Sequence, residues 1–334
     1  MPHGIPDDER PLLDWVLARY PDTPRTRAKE WIAAGRVCVD GVVIRKPHQV
    51  MPEPKDRLEL LGREAVALEC GSGWQIHPRV ELLYLDTAVA VVNKGPGIIS
   101  VPAPGCDFSA LNVLGDFLSG KLRPSAKNRT KVPQVFQKLR PLPVHRLDQY
   151  TSGVFCIAMN PEARAILIEQ LKGHQIQREY AAFAEGRAKE SRGTWRNWVQ
   201  LSEDELVQRI VADPKGGESK AQEAVTHFEV LGEYSLRGGK GFVTKLRLRL
   251  ETGRKHQIRV QAAHAGLPLI GDRLYHPKYR EPGRGEVPIE FSRQALHAER
   301  LSLEHPERSG KRMSWRAEMP KDLRELEKRM KDEL

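Results

Sequence analysis

Four short apolar runs, VELLYLD, AVAVVNK, GVFCIAMN and REYAAFAEG, come after Pro78 with no regular alternation of strand and helix between them. Each has the length and the β-branched or aromatic content of a strand. Their irregular spacing excludes the repeated strand-helix-strand unit of a doubly wound parallel sheet, so the larger part of the chain is expected to be a mixed α and β domain.

The first sixty residues have another period. In PLLDWVLARY the apolar Leu12, Leu13, Val16 and Leu17 recur at helical spacing, and TPRTRAKEWIAAG predicts a second helix from near Thr23 to Gly35. RVCVDGVVI then switches to strand, an Asp40-Gly41 turn and strand, the pattern of a tight hairpin. Gly71-Ser72-Gly73 and Pro78 punctuate the stretch beyond the hairpin. The chain therefore divides into a helix-helix-hairpin domain at 1–62, a linker at 63–78 and a large domain at 79–334, and 334 residues suffice for two domains.

The formal charge is +10, which points to a polyanionic partner without saying which. Residues 1–60 hold ten basic and ten acidic side chains, so the excess lies wholly in the rest. From Lys121 to Arg146 there are eight Lys and Arg and no acid. In KLRLRL the alternation sets Lys245, Arg247 and Arg249 on one face of a strand and three leucines on the other, a face expected to track phosphates. No stretch approaches the roughly 20 apolar residues of a membrane span, and MPHGIPDDER is acidic where a secretory signal is basic, so a cytoplasmic chain with no membrane partner is expected. The closing KDEL reads as the end of a charged helix with Leu323, Leu326 and Met330 along one side. Cys38, Cys70, Cys106 and Cys156 are too scattered for a disulfide framework or metal-ligand spacing. Neither the dinucleotide fingerprint, nor the phosphate loop, nor a His/Glu metal cluster at helical spacing occurs, so nicotinamide, flavin, nucleotide and metal chemistry have no support.

One acid breaks the basic tract, Asp148 in PLPVHRLDQYTSGVF. Together with VVNKGPGIISVP, REYAAFAEG, TGRKHQIRVQAAHAGLPLIGDRLY and the late ALHAERLSLEHP, this segment resembles the RluA family of RNA pseudouridine synthases over about residues 80–306. Gly95 stands where proline is usual, Lys255 fills a variable slot and Gln261 replaces a common histidine, all outside the HRLD-x-x-TSG core. Residues 10–60, with GRVCVDG as their clearest piece, resemble the small RNA-binding module of ribosomal protein S-four, with Asp40 in place of a frequent asparagine.

The resemblance implies an α+β fold with a mixed, largely antiparallel sheet flanked by helices, and conversion of uridine to pseudouridine in ribosomal or transfer RNA. Substrate and product are isomers, so no cofactor, nucleotide or metal is implied, and a monomer is expected. Asp148 becomes the catalytic carboxylate, attacking an electrophilic carbon or stabilising the charge that develops as the base leaves. Burial disfavours a carboxylate's charged form unless a cation stands beside it, and Arg259 in HQIRV matches that partner. Tyr180 matches an aromatic that stacks on uracil and takes part in removing the C5 proton. Arg146 matches the side chain that fills the gap left by the flipped base, with a phosphate contact as the alternative. Leu296 and Ile258 are read as walls, and His145 and His256 are given no chemistry. Phosphate contacts are expected from Arg25, Arg27 and Lys29 on the second helix, from Lys127, Arg129 and Lys131 in the basic insertion, and from Lys245, Arg247, Arg249 and Arg254. A non-catalytic RNA-binding protein is the rival reading; intact Asp148, Tyr180 and Arg259 argue against it. A DNA-binding regulator lacks a recognition-helix motif.

Overall fold

The computed structural model describes residues 9–33, 36–40, 42–44, 46–54, 57–60, 68–122, 134–137, 139–203, 207–212, 220–236, 241–280, 289–308 and 310–332. Strand β1 (Glu9–Pro11) runs straight into α1 (Leu12–Arg19), and α2 (Arg25–Ala33) leads to the hairpin of β2 (Val37–Val39) and β3 (Val42–Val43). Strands β4 (Val50–Pro52) and β5 (Leu58–Leu60) return to pair antiparallel with β1 and β2. Leu12, Leu13 and Val16 of α1 meet Ala28 and Ile32 of α2 over Val37, Val39 and Leu58, so the helical periodicity of the sequence is the core of this unit. Asp40 adopts φ 52°, the left-handed conformation that the tight turn requires.

The rest of the chain builds one large sheet. Strands β6 (Leu68–His77), β7 (Val80–Leu85) and β8 (Val89–Lys94) form an antiparallel meander, succeeded by α3 (Ala110–Leu118), the short α4 (Gln134–Gln137), β9 (Leu142–Pro143), β10 (Ser152–Ala158) and α5 (Pro161–Lys172). Then come β11 (Gln177–Glu185), β12 (Arg192–Leu201), β13 (Gln208–Val211), β14 (Gln222–Leu236), β15 (Gly241–Leu250), α6 (Gln257–His264), α7 (Pro277–Arg280), β16 (Leu296–Glu304), β17 (Arg312–Arg316) and α8 (Lys321–Asp332). The strand order is β13-β12-β14-β15-β11-β16-β10-β8-β7-β6, with β9 on β10 and β17 on β16. Strands β10 and β16 run parallel, and the other pairings between these strands are antiparallel among the described residues.

Strand β10 is buried along its whole length, which is why it reads as a continuous apolar run. Phe155 and Ile157 face a core shared with Val113, Leu114 and Phe117 of α3 and Ile258 and Ala262 of α6. Val154, Cys156 and Ala158 face Ala163 and Leu167 of α5. Ser109 caps α3 by accepting from the Asn112 N–H, and Asn160 caps α5 by accepting from the Ala163 N–H ahead of Pro161. Leu323, Leu326 and Met330 bury one side of α8 as their spacing predicts.

Most of the expected linker at 63–78 is strand. Residues 68–77 are β6, and the Gly71-Ser72-Gly73 break is absorbed where the β6–β7 register shifts between Glu69 and Trp74, with Gly73 at φ 79°. Glycine within a strand pattern marks a bulge as readily as a strand's end. Among the described residues no helix is long and apolar enough to cross a membrane.

Candidate active site

Asp148 sits on a loop between β9 and β10 that is held from both sides. On one side the segment after β8 grips it: Ser100 Oγ donates to the Leu147 carbonyl at 2.8 Å and accepts from the Leu147 N–H at 2.9 Å. The Gly97 N–H donates to the Gln149 carbonyl, and buried Lys94 points its ammonium at the carbonyls of Gly95, Ile98 and Gln149, all within 3.0 Å. Burial lowers the Lys94 pKa to about 7. On the other side, buried Arg293 donates to the Tyr150 carbonyl at 3.1 Å and to Ser152 Oγ at 3.4 Å, while its Nε and Nη2 bind Asp322 in the first turn of α8. Gly153, at φ 120°, lies so close to the Ala298 backbone that any Cβ would overlap it, which accounts for glycine in TSG.

Helix α6 brings the cation. Gln257 and Gln261 staple it to the sheet: Gln257 Nε2 donates to the Val225 carbonyl and Gln261 Nε2 to the Ala224 and Trp195 carbonyls. Gln261 is therefore a buried anchor. The helix closes with Gly266 just beyond it at φ 77°. Arg259, 7% exposed, donates Nη1 to Asp148 at 3.2 Å and clamps Asp272 with Nε at 2.7 Å and Nη2 at 2.8 Å. Burial acts against its charge, but the hydrogen bonds and charge of Asp272, helped by Asp148, outweigh it and raise its pKa. Asp272, itself buried, also accepts from the N–H groups of Leu274 and Tyr275.

Of two residues that the motifs left without a role, one faces the same carboxylate and the other holds the first. His256 Nε2 lies 4.0 Å from Asp148 Oδ1, longer than a hydrogen bond. The Tyr275 hydroxyl accepts from the Gln208 N–H at 2.7 Å and lies 2.9 Å from His256 Nδ1. A hydroxyl proton given to Nδ1 puts the histidine proton on Nε2, the nitrogen nearest Asp148. Burial lowers the His256 pKa to about 4, so its ring is neutral at physiological pH. Their signal in the sequence was their place inside TGRKHQIR and LIGDRLY. His145 has no comparable setting: its Nε2 accepts from the Cys156 N–H, and burial lowers its pKa to about 3.

Asp148, Arg146, Tyr180, Arg254, Arg259, Ile258 and Leu296 line one cleft of about 560 Å³. Tyr180 is buried in its wall, and that burial raises its phenol to about 12, so it carries its proton at neutral pH. Arg146 is exposed and makes no side-chain hydrogen bond among the described residues. It stands between the cleft and a second recess of about 390 Å³ walled by Ile99, Val101, Pro102 and the half-exposed Tyr150.

The other basic candidates lie elsewhere. Tyr180 pairs across strands with Leu248, so Lys245, Arg247 and Arg249 project from the opposite face of the sheet, away from the cleft. They are spent on carboxylates there: Lys245 on Glu327 at 2.9 Å, Arg247 on Glu229 at 2.7 Å and Arg249 on Glu179 at 3.2 Å. The expected alternation is present, but this face is occupied by acids on neighbouring elements. Arg25, Arg27 and Lys29 lie on exposed α2, where Arg25 pairs with Asp14 and Arg27 stands over Trp31. Lys127, Arg129 and Lys131 lie outside the described residues.

Known proteins match in both parts of the chain. A family profile described as RNA pseudouridylate synthase matches residues 88–264, and an S4 domain profile matches residues 10–52. Ribosomal large subunit pseudouridine synthase D of Yersinia pestis is 35% identical over 334 residues, spanning 94% of this chain and 89% of that protein. An uncharacterized RNA pseudouridine synthase of Bacillus subtilis is 31% identical over 306 residues, spanning 91% and 89%. Among solved structures, human RNA pseudouridylate synthase domain containing 4 superposes with a TM-score of 0.55 at 21% identity, over 75% of this chain and 92% of that one, a likeness of fold.

Proposed function

The chain belongs to the RNA pseudouridylate synthase family, and on that premise we propose that it converts uridine to pseudouridine in large-subunit ribosomal RNA with Asp148 as its catalytic carboxylate. The observation that carries this reading is a carboxylate, Asp148, that faces the cleft and is tied to Arg259, which is itself fixed by Asp272. In the reaction the bond from N1 to C1′ breaks, the base turns, C5 bonds to C1′, C5 gives up its proton and N1 gains one. Atoms and electrons balance without a co-reactant. Asp148 attacks the nucleoside or stabilises the charge on the sugar, and Arg259 with His256 orients its two oxygens. Such a reaction needs the base outside its stack, and exposed Arg146, between cleft and recess, fits the space the base vacates. The target base enters beside Tyr180, and the neighbouring nucleotide reaches the recess by Tyr150.

The first domain, matched as an S4 domain, presents Arg25, Arg27 and Lys29 to the same RNA. Arg254 lines the cleft and serves a nearby phosphate, whereas the paired cations of β15 do not take part. Mapping pseudouridines by carbodiimide adducts and primer extension, with and without the gene, is expected to show loss at specific uridines of large-subunit ribosomal RNA. Loss confined to transfer RNA would reassign the substrate, and no loss in any RNA would refute the reading.

Tyr180 has two separable jobs. Replacing it with Ala removes a stacking surface worth roughly 1–3 kcal/mol per base and is expected to weaken both binding and turnover. Phe keeps the ring and is expected to bind normally; because the phenol carries its own proton at neutral pH, the hydroxyl handles the C5 proton only by passing its own to a neighbouring acceptor, and loss of that relay is expected to slow tritium release from five-tritiated uridine by about 10² or more. Parental tritium release by the Phe variant would leave Tyr180 as a stacking platform only.

A further inference from the structure

We propose that Arg178, two residues before Tyr180, is a receptor for one phosphodiester of the bound RNA strand; this rests on the RNA-modifying reading above. The protein compensates two other buried guanidinium groups with acids. Arg259 and Arg293, 7% and 5% exposed, each fork onto a carboxylate, Asp272 and Asp322. A buried charge without a counter-ion is costly, and those two are relieved of that cost.

Arg178 is not. It is 8% exposed, yet no carboxylate among the described residues comes within ion-pair distance of it. Nη2 donates to the Glu251 carbonyl at 3.1 Å and the Thr252 carbonyl at 3.3 Å, which supply dipoles but no charge. Nε is sealed in without an acceptor. Nη1 also lacks an acceptor among the described residues, but unlike Nε it is not sealed from solvent. It lies against Gly253, where a side chain would collide with it, so the glycine of TGR keeps this edge of the guanidinium clear. Consistent with a charge lacking its counter-ion, burial lowers the Arg178 pKa.

The residue lines the same cleft as Asp148, Tyr180 and Arg254. An anion entering there restores the missing charge, and Nη1 is the nitrogen left to donate a charge-assisted hydrogen bond to a phosphate oxygen. The strand is thereby anchored on the Tyr180 side of the cleft, and the flipped uridine is set against Asp148.

The test contrasts Arg178→Met, which keeps length and loses charge, with the parent. Without RNA the Met variant is expected to unfold at a temperature no lower than the parent's, because removing an uncompensated buried charge offsets two lost hydrogen bonds to carbonyls. Inorganic phosphate is expected to raise the melting temperature of the parent and not of the variant, a readout independent of any RNA substrate. With RNA, the variant's log-log salt dependence is expected to flatten by about 0.7 to 0.9, one phosphate contact, and KM to rise tenfold or more at little-changed kcat. Single methylphosphonate linkages are expected to weaken parental binding at one position where they leave the variant unaffected. A clearly lower melting temperature without RNA, equal phosphate stabilisation of both proteins or an unchanged salt slope would each overturn the proposal. Phosphate stabilisation that depends on Arg178 in a protein showing no pseudouridine formation would refute the enzymatic reading and leave the anion site standing.

Discussion

Asp148→Asn is expected to stop pseudouridine formation while leaving RNA affinity close to the parental value. Asparagine matches aspartate in size, so the loop gripped by Ser100, Lys94 and Arg293 keeps its place. Arg259 loses only one acceptor and stays forked on Asp272, so the fold is not put at risk. What disappears is the anion, both as attacking group and as stabiliser of developing charge, and the single-turnover rate is expected to fall on the order of 10³-fold or more. Binding comes mainly from phosphate contacts, and Asp148 supplies none. Turnover within about tenfold of the parent in a purified Asn variant would remove Asp148 from the chemistry.

Arg259→Met is expected to damage stability and turnover together. It strands Asp272, 1% exposed, with two backbone N–H donors and no cation. Breaking a buried pair from one side costs about 3–5 kcal/mol, read as a shift of the urea midpoint at unchanged slope. Adding Asp272→Leu removes the stranded charge and is expected to recover most of that stability while turnover stays lost, since Asp148 still lacks its guanidinium. A single variant as stable as the parent would mean that Asp272 finds its compensation elsewhere. The two substitutions thus differ in kind: one removes a reactant, the other a buried support.

The sequence made legible what is local or motif-bound. Helix periodicity placed α1, α2 and α8, apolar runs placed β7, β8, β10 and β11, and the motifs named Asp148, Tyr180 and Arg259, which the fold brings to one cleft. Contacts made across long separations were not legible. Alternation in KLRLRL divides the side chains into two faces, but which face meets the cleft depends on β11, and which acids neutralise the cations depends on β11, β14 and α8. The same holds for His256 and Arg178: a histidine and an arginine inside motifs become informative only once Tyr275 is found against the histidine's Nδ1 and the absence of a nearby acid among the described residues isolates a guanidinium. Glycines 71 and 73 were ambiguous for another reason, since a bulge and a linker use the same residue.

The grip of Arg293 on the Asp148 loop has a consequence in time. A ribosome makes the chain from its N-terminus, and Asp322, which fixes Arg293, is polymerised long after Asp148. At about 5–20 residues per second, roughly ten to thirty seconds separate the two events. Throughout that interval the nascent protein holds Asp148 on a loop that lacks the brace anchored by Asp322. The second brace closes only when the first turn of α8 has cleared the exit tunnel and docked.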